Sequence, residues 1–342
     1  MQIVFMVVVL GLAAYGLLLW RNVVSGKSRP PLTTHQTPFG LLDVLILFVA
    51  WLMIPGIIVA ALFAAWGVAD TDALASNQVL LLMALTAVTQ LTTCAIAIGI
   101  FRIRYGSLRN VLGVDFRAAG LFVHFKIAFK FFAMVVPALL GLQWLLSFLI
   151  PYEHGTLDQL ADNFSVNTVL VTWLGAVVAA PLCEELFFRG VLQGWLQRIR
   201  FDTAPGRNNM LDIVGGWEGK VDEENESQEH LPSNIEFDND NPYATPGAVI
   251  ASQPVKPIKA DSKNAGEHPI VWWLPIVASS SLFAAVHIGQ GLAPVTLFIF
   301  GLALGYLYRQ TGSITPSIIL HFLLNGFSMF WFTLEQLLNS II

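Results

Sequence analysis

Ionisable and amide side chains in the C-terminal half of this apolar chain are the residues that could carry chemistry. A carboxylate can act as a base, an imidazole can donate or accept a proton, and an amide can donate to a developing oxyanion. This combination suits hydrolysis of an amide bond by an activated water molecule. Six such residues lie in strongly apolar stretches: Glu184, Glu185, Arg189, His287, His321 and Asn325.

Helix geometry predicts how the two adjacent glutamates divide their roles. Glu185 and Arg189 are four residues apart with the acid on the N-terminal side, which is the favourable order for an intrahelical ion pair. Neighbouring residues differ by about 100° around a helix, so Glu184 and Glu185 cannot face one small cavity equally. We therefore expect Arg189 to neutralise Glu185 and Glu184 to stay free for chemistry. In the alternative, both acids only pair with Arg189 for packing, which leaves the second carboxylate unexplained.

His321 and Asn325 are also four residues apart, so we expect both side chains to face the same space between helices. A single histidine in a membrane helix can instead be a hydrogen-bonded packing residue. Ionisable groups inside a bilayer are costly, however, and are functional candidates by default. Their recurrence on several late apolar stretches favours a working site.

Two other chemistries are compatible with these residues. Glu184, His287 and His321 could form a zinc site with two histidines and one carboxylate, although the chain lacks the His-Glu-x-x-His helix signature. Cys183 could be a thiol nucleophile, although a buried free cysteine usually acts as a small apolar side chain. Neither Cys183 nor Cys94 predicts a disulfide framework, because both lie in apolar stretches.

The elements that must position these residues are membrane helices. The chain has 342 residues, of which 55% are hydrophobic and 12% are charged, and its mean hydropathy is +0.66. Soluble domains carry roughly 25% charged residues. Apolar runs near the ~20 residues that cross a bilayer must be helical, because lipid cannot satisfy open backbone groups. We predict an all-α, polytopic transmembrane bundle of about eight spans, roughly 2–20, 40–66, 78–101, 121–150, 166–189, 270–288, 292–308 and 314–338.

Lysine and arginine recur in every second loop of this arrangement. The loops around 67–77, 151–165 and 289–291 contain neither residue. Because positive charge marks cytoplasmic loops, this asymmetry predicts that both termini lie outside the cytoplasm.

The chain divides into predicted N-terminal membrane helices (1–150) and a predicted catalytic membrane domain (151–342). An insert at 201–268 interrupts the second part with 13 acidic and 5 basic residues, a formal charge of −8. It contains too few apolar residues to offset the entropy of ordering, so we predict an acidic, disordered cytoplasmic loop.

Three short motifs together resemble a known family. Glu184 to Arg189 reads EELFFR, Phe283 to His287 reads FAAVH, and His321 to Asn325 reads HFLLN. In this order on separate late helices, they resemble the motifs of the CAAX-protease and bacteriocin-processing family, which includes the Rce1-like prenyl-protein endopeptidases. The resemblance covers about 166–335.

The resemblance implies an intramembrane glutamic endopeptidase that works without a metal or another cofactor. Glu184 would be the general base and His287 would position the water, while His321 and Asn325 would stabilise the oxyanion. Glu185, Arg189 and Phe283 would hold and tune the site. The implied partners are the lipid bilayer and a membrane-associated protein or peptide substrate, with no nucleic acid. The implied location is the bacterial cytoplasmic (inner) membrane, and the oligomeric state is not indicated.

Two functions without proteolysis stay open. A catalytically silent scaffold could keep the family motifs, and a proton-coupled transporter could use intramembrane Glu and His residues as a relay. The depth of the two histidines in the membrane sets a condition on how they can meet. Counted along each helix from its predicted cytoplasmic end, His321 lies roughly 12 Å deep and His287 roughly 25 Å deep. The two can meet only if the sixth helix begins well inside the cytoplasm or the 288–292 connection dips into the bundle.

Overall fold

The computed structural model describes residues 2–24, 37–69, 73–114, 117–149, 155–198, 269–291 and 293–340. Within these ranges the regular elements are helical. The longer helices coincide with the predicted apolar runs, whereas the short helices at Leu108–Leu112 and Gly155–Asp162 lie in predicted loops. The predicted loop at 201–268 lies outside the described residues. The helices are α1 (Gln2–Val24), α2 (Leu41–Trp66), α3 (Ser76–Tyr105), α4 (Leu108–Leu112), α5 (Ala118–Leu146), α6 (Gly155–Asp162), α7 (Val166–Arg198), α8 (Pro269–Ala285), α9 (Ala293–Thr311) and α10 (Ile314–Asn339).

Five of the described helices are long and apolar enough to cross a bilayer, namely α2, α3, α5, α7 and α10. Helices α1 and α8 contain shorter apolar stretches, Ile3–Leu19 and Trp272–Ala285. An all-helical, multi-pass membrane protein is therefore confirmed, whereas the total of eight spans stays a prediction.

Basic residues gather at one end of the bundle. Asp43, at the start of α2, forms an ion pair with Arg104 near the end of α3 and also accepts from the Tyr105 hydroxyl. At the same end Arg198 donates to the Phe39 carbonyl at 2.9 Å. Asp43 is therefore anchored to α3 at this end of the bundle. The compartment that this basic end faces stays a prediction.

Helix α7 changes its hydrogen-bonding pattern twice. Its two π-helical stretches, Leu174–Ala179 and Glu185–Gln193, flank a single α-helical segment, Ala180–Glu184. In a π-turn an N–H bonds to the carbonyl five residues back, and such stretches are frequent at functional sites. Glu184 therefore ends the α-helical segment, and Glu185 begins the second π-helical stretch.

Aromatic side chains surround the residues that follow the glutamates. Phe187 and Phe188 are fully buried and pack against Phe48 and Trp51 of α2 with ring centroids 5.3–6.1 Å apart. Phe188 also meets Phe283 of α8 edge-on at 5.3 Å. These contacts fix α7 between α2 and α8.

The connection between α8 and α9 turns partway along the bundle. The Phe300 and His321 rings are 5.2 Å apart, so these two residues lie at the same level of α9 and α10. Ala293, the first residue of α9, lies seven residues before Phe300. Because the two helices are antiparallel, Ala293 is level with about residue 328 of α10. Helix α10 continues to Asn339, roughly 16 Å further at 1.5 Å per residue. The connection thus dips into the bundle, which is one of the two ways in which His287 and His321 could meet. The side of the membrane that the 289–291 connection faces stays a prediction.

A backbone contact holds the start of α10. Gly113, after α4, and Gly312, between α9 and α10, both have left-handed φ angles, 66° and 61°. A Cβ atom on Gly113 would overlap the Gly312 carbonyl. The two turns therefore touch through their main chains, directly before the helix that carries His321.

Candidate active site

Glu185 is the buried anion at the centre of the site. Its Oε1 atom lies 3.2 Å from Nη1 of Arg189, and both side chains are fully buried. The same oxygen lies 2.9 Å from Nδ1 of His321. The intrahelical pair expected from the spacing is present, and Glu185 has a second partner that the spacing did not indicate.

Arg189 has further contacts that hold its guanidinium in place. Its Nη2 atom donates to the Gly301 carbonyl of α9 at 3.2 Å. The guanidinium also lies over the Phe283 ring, 4.5 Å from the centroid. Phe283 therefore supports the ion pair from α8. The absence of a side chain at Gly301 lets α9 pack closely against Ser280 and Phe283 of α8.

His321 contacts both glutamates, which the spacing within α7 did not indicate. Its Nδ1 faces Glu185, and its Nε2 lies 3.7 Å from Oε2 of Glu184. The two acids project in different directions, as expected, but the nitrogens of one imidazole lie on different edges of the ring and can reach both. Because the carboxylate of Glu185 accepts, Nδ1 carries the proton in this contact.

Glu184 differs from Glu185 in its access to the surroundings. The Glu184 side chain is 13% exposed, whereas that of Glu185 is fully buried. Glu184 therefore keeps an oxygen available beside His321, while Glu185 is enclosed by its partners. This asymmetry makes Glu184 the better placed of the two to meet a water molecule.

His287 lies just beyond the end of α8, beside Phe283. Its Nδ1 is 2.9 Å from the Phe283 carbonyl, which can only accept, so Nδ1 donates and Nε2 is left as an acceptor. The Phe283 ring is 5.3 Å from the His287 ring and 5.9 Å from the His321 ring. Phe283 thus contacts both imidazoles.

Asn325 faces α7, as His321 does, but binds a different part of it. Its Nδ2 donates to the Ala176 carbonyl at 2.8 Å, within the first π-helical stretch. An amide carries two N–H donors, so one of them is engaged here. Ala176 was not identified from the sequence. The sequence feature that could have indicated it is Pro181, which lies five residues later. Proline has no N–H, so Pro181 cannot donate to the Ala176 carbonyl.

The cysteine pair corrects one sequence interpretation. Cys94 of α3 and Cys183 of α7 are paired as a disulfide, with Cα atoms 5.6 Å apart, although the sequence did not predict one. Adjacent packing of α3 and α7 brings the two residues together across 89 positions. Cys183 is fully buried on the α3 side of α7, which disfavours the thiol-nucleophile alternative.

The described residues also bear on the zinc alternative. Among them, no group of three or more His, Cys, Asp or Glu side chains has an arrangement that could hold a metal ion. The zinc alternative and the metal-independent mechanism both stay predictions.

Comparison with known proteins identifies one family. Residues 166–208 and 262–327 match the sequence model described as "Type II CAAX prenyl endopeptidase Rce1-like", which confirms the resemblance predicted from the motifs. All three motifs lie within the match, and the interval between its two parts falls within the predicted insert. No curated protein and no solved structure matches the chain. At the level of the family, the match indicates intramembrane protease activity in a membrane protein.

Proposed function

From this Rce1-like region, we propose that the protein is an intramembrane endopeptidase whose water nucleophile is activated by Glu184. One observation carries the proposal: a partly exposed Glu184 lies beside His321, whose other ring nitrogen is held by the fully buried Glu185. A free carboxylate next to an oriented imidazole is the arrangement that general base catalysis of amide hydrolysis requires.

The first chemical step would be attack by water on the scissile carbonyl carbon. Glu184 takes one proton from the water, while the acceptor nitrogen of His287 orients it. A carbon–oxygen bond forms, and the carbonyl π electrons move onto oxygen. When the tetrahedral intermediate collapses, the carbon–nitrogen bond breaks and the proton held by Glu184 goes to the leaving amine.

The oxyanion would be stabilised from α10. In its protonated form His321 donates from Nε2, and the charge of that form is balanced by Glu185 at Nδ1. Asn325 contributes the amide N–H that Ala176 does not engage. Fixed donors aimed at the developing charge are typically worth 10²–10³ in kcat each.

Water would reach the site along the connection between α8 and α9. Non-helical backbone at membrane depth is tolerated only inside protein or beside a water-filled cavity. Ile288 in this connection is 77% exposed, and an open connection of this kind would let water approach His287. A hydrated space next to His287 supplies the nucleophile and needs no metal or other cofactor.

The proposed substrate is a membrane-associated protein or peptide, and nucleic acid has no role. We place the protein in a bacterial cytoplasmic membrane with eight spans and both termini outside the cytoplasm. The asymmetric distribution of Lys and Arg and the basic end of the bundle support this orientation.

The test compares the purified full-length protein with Glu184→Gln in detergent micelles, using a peptide library and mass spectrometry. Reactions in ¹⁸O-labelled water mark the new carboxyl terminus. Glu335→Gln is the matched control, because Glu335 is an exposed glutamate near the C-terminal end of α10, away from His321 and Asn325 in the sequence. We expect labelled products from wild type and the control, and loss of cleavage in Glu184→Gln.

Equal cleavage by wild type and Glu184→Gln would contradict the proposed base. An absence of cleavage in both, combined with an unchanged cellular phenotype of Glu184→Gln, would favour the scaffold alternative. Solute uptake that depends on Glu184 and on a proton gradient, without cleavage, would favour the transporter.

A further inference from the structure

Pro181 leaves one carbonyl of α7 without a backbone donor. At the end of the first π-helical stretch, the Ala180 N–H donates to the Gly175 carbonyl. The next bond in this π pattern would run from residue 181 to the Ala176 carbonyl. Residue 181 is proline and has no N–H. The Ala176 carbonyl therefore needs a donor from outside the helix.

Asn325 of α10 supplies that donor. Its Nδ2 atom lies 2.8 Å from the Ala176 carbonyl oxygen. Because a carbonyl oxygen can only accept, this contact selects the NH₂ edge of the amide over its oxygen edge. The orientation of Asn325 is thus determined by α7, four residues along α10 from His321.

We propose that Pro181 is a positioning residue that acts through Asn325. By keeping the Ala176 carbonyl unpaired within α7, it anchors one N–H of Asn325 and holds the other toward the substrate oxyanion. This inference rests on the proposed function, since it assigns Pro181 a part in the same oxyanion site. Pro181 itself is buried within α7.

Other contacts also join the two helices. The Trp173 indole donates to the Thr333 hydroxyl at 3.2 Å, further along the same pair of helices. His321 of α10 contacts Glu184 and Glu185 of α7. Loss of the Asn325 contact therefore leaves other contacts between α7 and α10 in place.

Pro181→Ala provides an N–H at position 181 that can extend the π pattern and bond the Ala176 carbonyl. Asn325 then loses its anchor and its amide is free to rotate. We expect kcat to fall roughly 10- to 100-fold, less than or similar to deletion of an oxyanion donor. KM is expected to stay within about twofold, because the donor acts mainly in the transition state.

The experiment measures kcat and KM for wild type, Pro181→Ala, Asn325→Ala and the double variant in the full-length protein. The double variant is expected to match Asn325→Ala, because Pro181 acts only through that amide. Pro316→Ala is the matched control: Pro316 lies in the first turn of α10, where a missing N–H removes no bond within the helix. It is expected to leave kcat unchanged.

Unchanged kcat in Pro181→Ala, or independent effects of the two substitutions, would overturn the inference while leaving Glu184 as the base. Pro181→Ser also supplies an N–H and repeats the test if the alanine variant unfolds. Unfolding of both variants would overturn the inference too, since it makes Pro181 a structural residue. Retained cleavage in Glu184→Gln would instead overturn the proposed function.

Discussion

The most informative perturbation is Glu185→Gln, which removes one charge from the buried ion pair and keeps the shape of the side chain. Glu185 and Arg189 are both fully buried, and their charged atoms are 3.2 Å apart. After the substitution Arg189 keeps the Gly301 carbonyl and the Phe283 ring as neutral partners. A buried charge that loses its partner typically costs 3–5 kcal/mol. At about 1.4 kcal/mol per factor of ten, the folded-to-unfolded ratio should fall by roughly two to three and a half decades.

The exposed ion pair provides a control within the same molecule. Arg104 is 52% exposed, and its partner Asp43 keeps the Tyr105 hydroxyl and the Gly40 N–H when Arg104 is replaced. Arg104→Gln is therefore expected to cost at most about 1 kcal/mol, as exposed pairs do. Unfolding of both variants is followed against SDS mole fraction in mixed micelles. The reasoning is refuted if Glu185→Gln destabilises the protein no more than Arg104→Gln does.

Replacement of both members of the buried pair separates stability from catalysis. Glu185→Leu combined with Arg189→Met removes both charges, and well-packed apolar replacements of this kind are often neutral or stabilising. We expect the double variant to recover much of the stability lost in Glu185→Gln. Peptide cleavage should stay low, because Nδ1 of His321 still lacks its carboxylate partner. Recovery of both properties would show that Glu185 acts only in packing.

Three further predictions concern other parts of the site and the fold. Gly113→Ala should destabilise the protein by about 2–4 kcal/mol, because it combines left-handed backbone strain with overlap onto Gly312. Gly67→Ala is the control, because Gly67 has a similar φ but open space around it. It should cost only about 1–2 kcal/mol in the same unfolding assay. Cys183→Ala should retain cleavage, since Glu184 activates water directly; loss of all activity in a folded variant would revive the thiol mechanism. Chelators should leave the cleavage rate unchanged, whereas a loss that added zinc restores would contradict the metal-independent mechanism.

The sequence by itself determined where the helices lie and which residues belong to the motifs. Bilayer thickness and the need to pair every backbone group restrict long apolar runs to helices, so the predicted spans differ from α2, α3 and α10 by only a few residues. Local spacing also predicted the Glu185–Arg189 pair, because residues four apart share a helix face. These properties depend on interactions within one segment.

Only the tertiary structure decided how the motifs meet. His321 binds both glutamates and Asn325 pairs with Ala176 because of the register between α7 and α10, which no spacing within either helix specifies. The π-helical stretches of α7 and the depth of the α8–α9 connection likewise depend on packing between distant segments. The Cys94–Cys183 pair is a further case, since 89 positions separate its members. Side-chain types restrict which contacts are possible, and the relative placement of the helices selects among them.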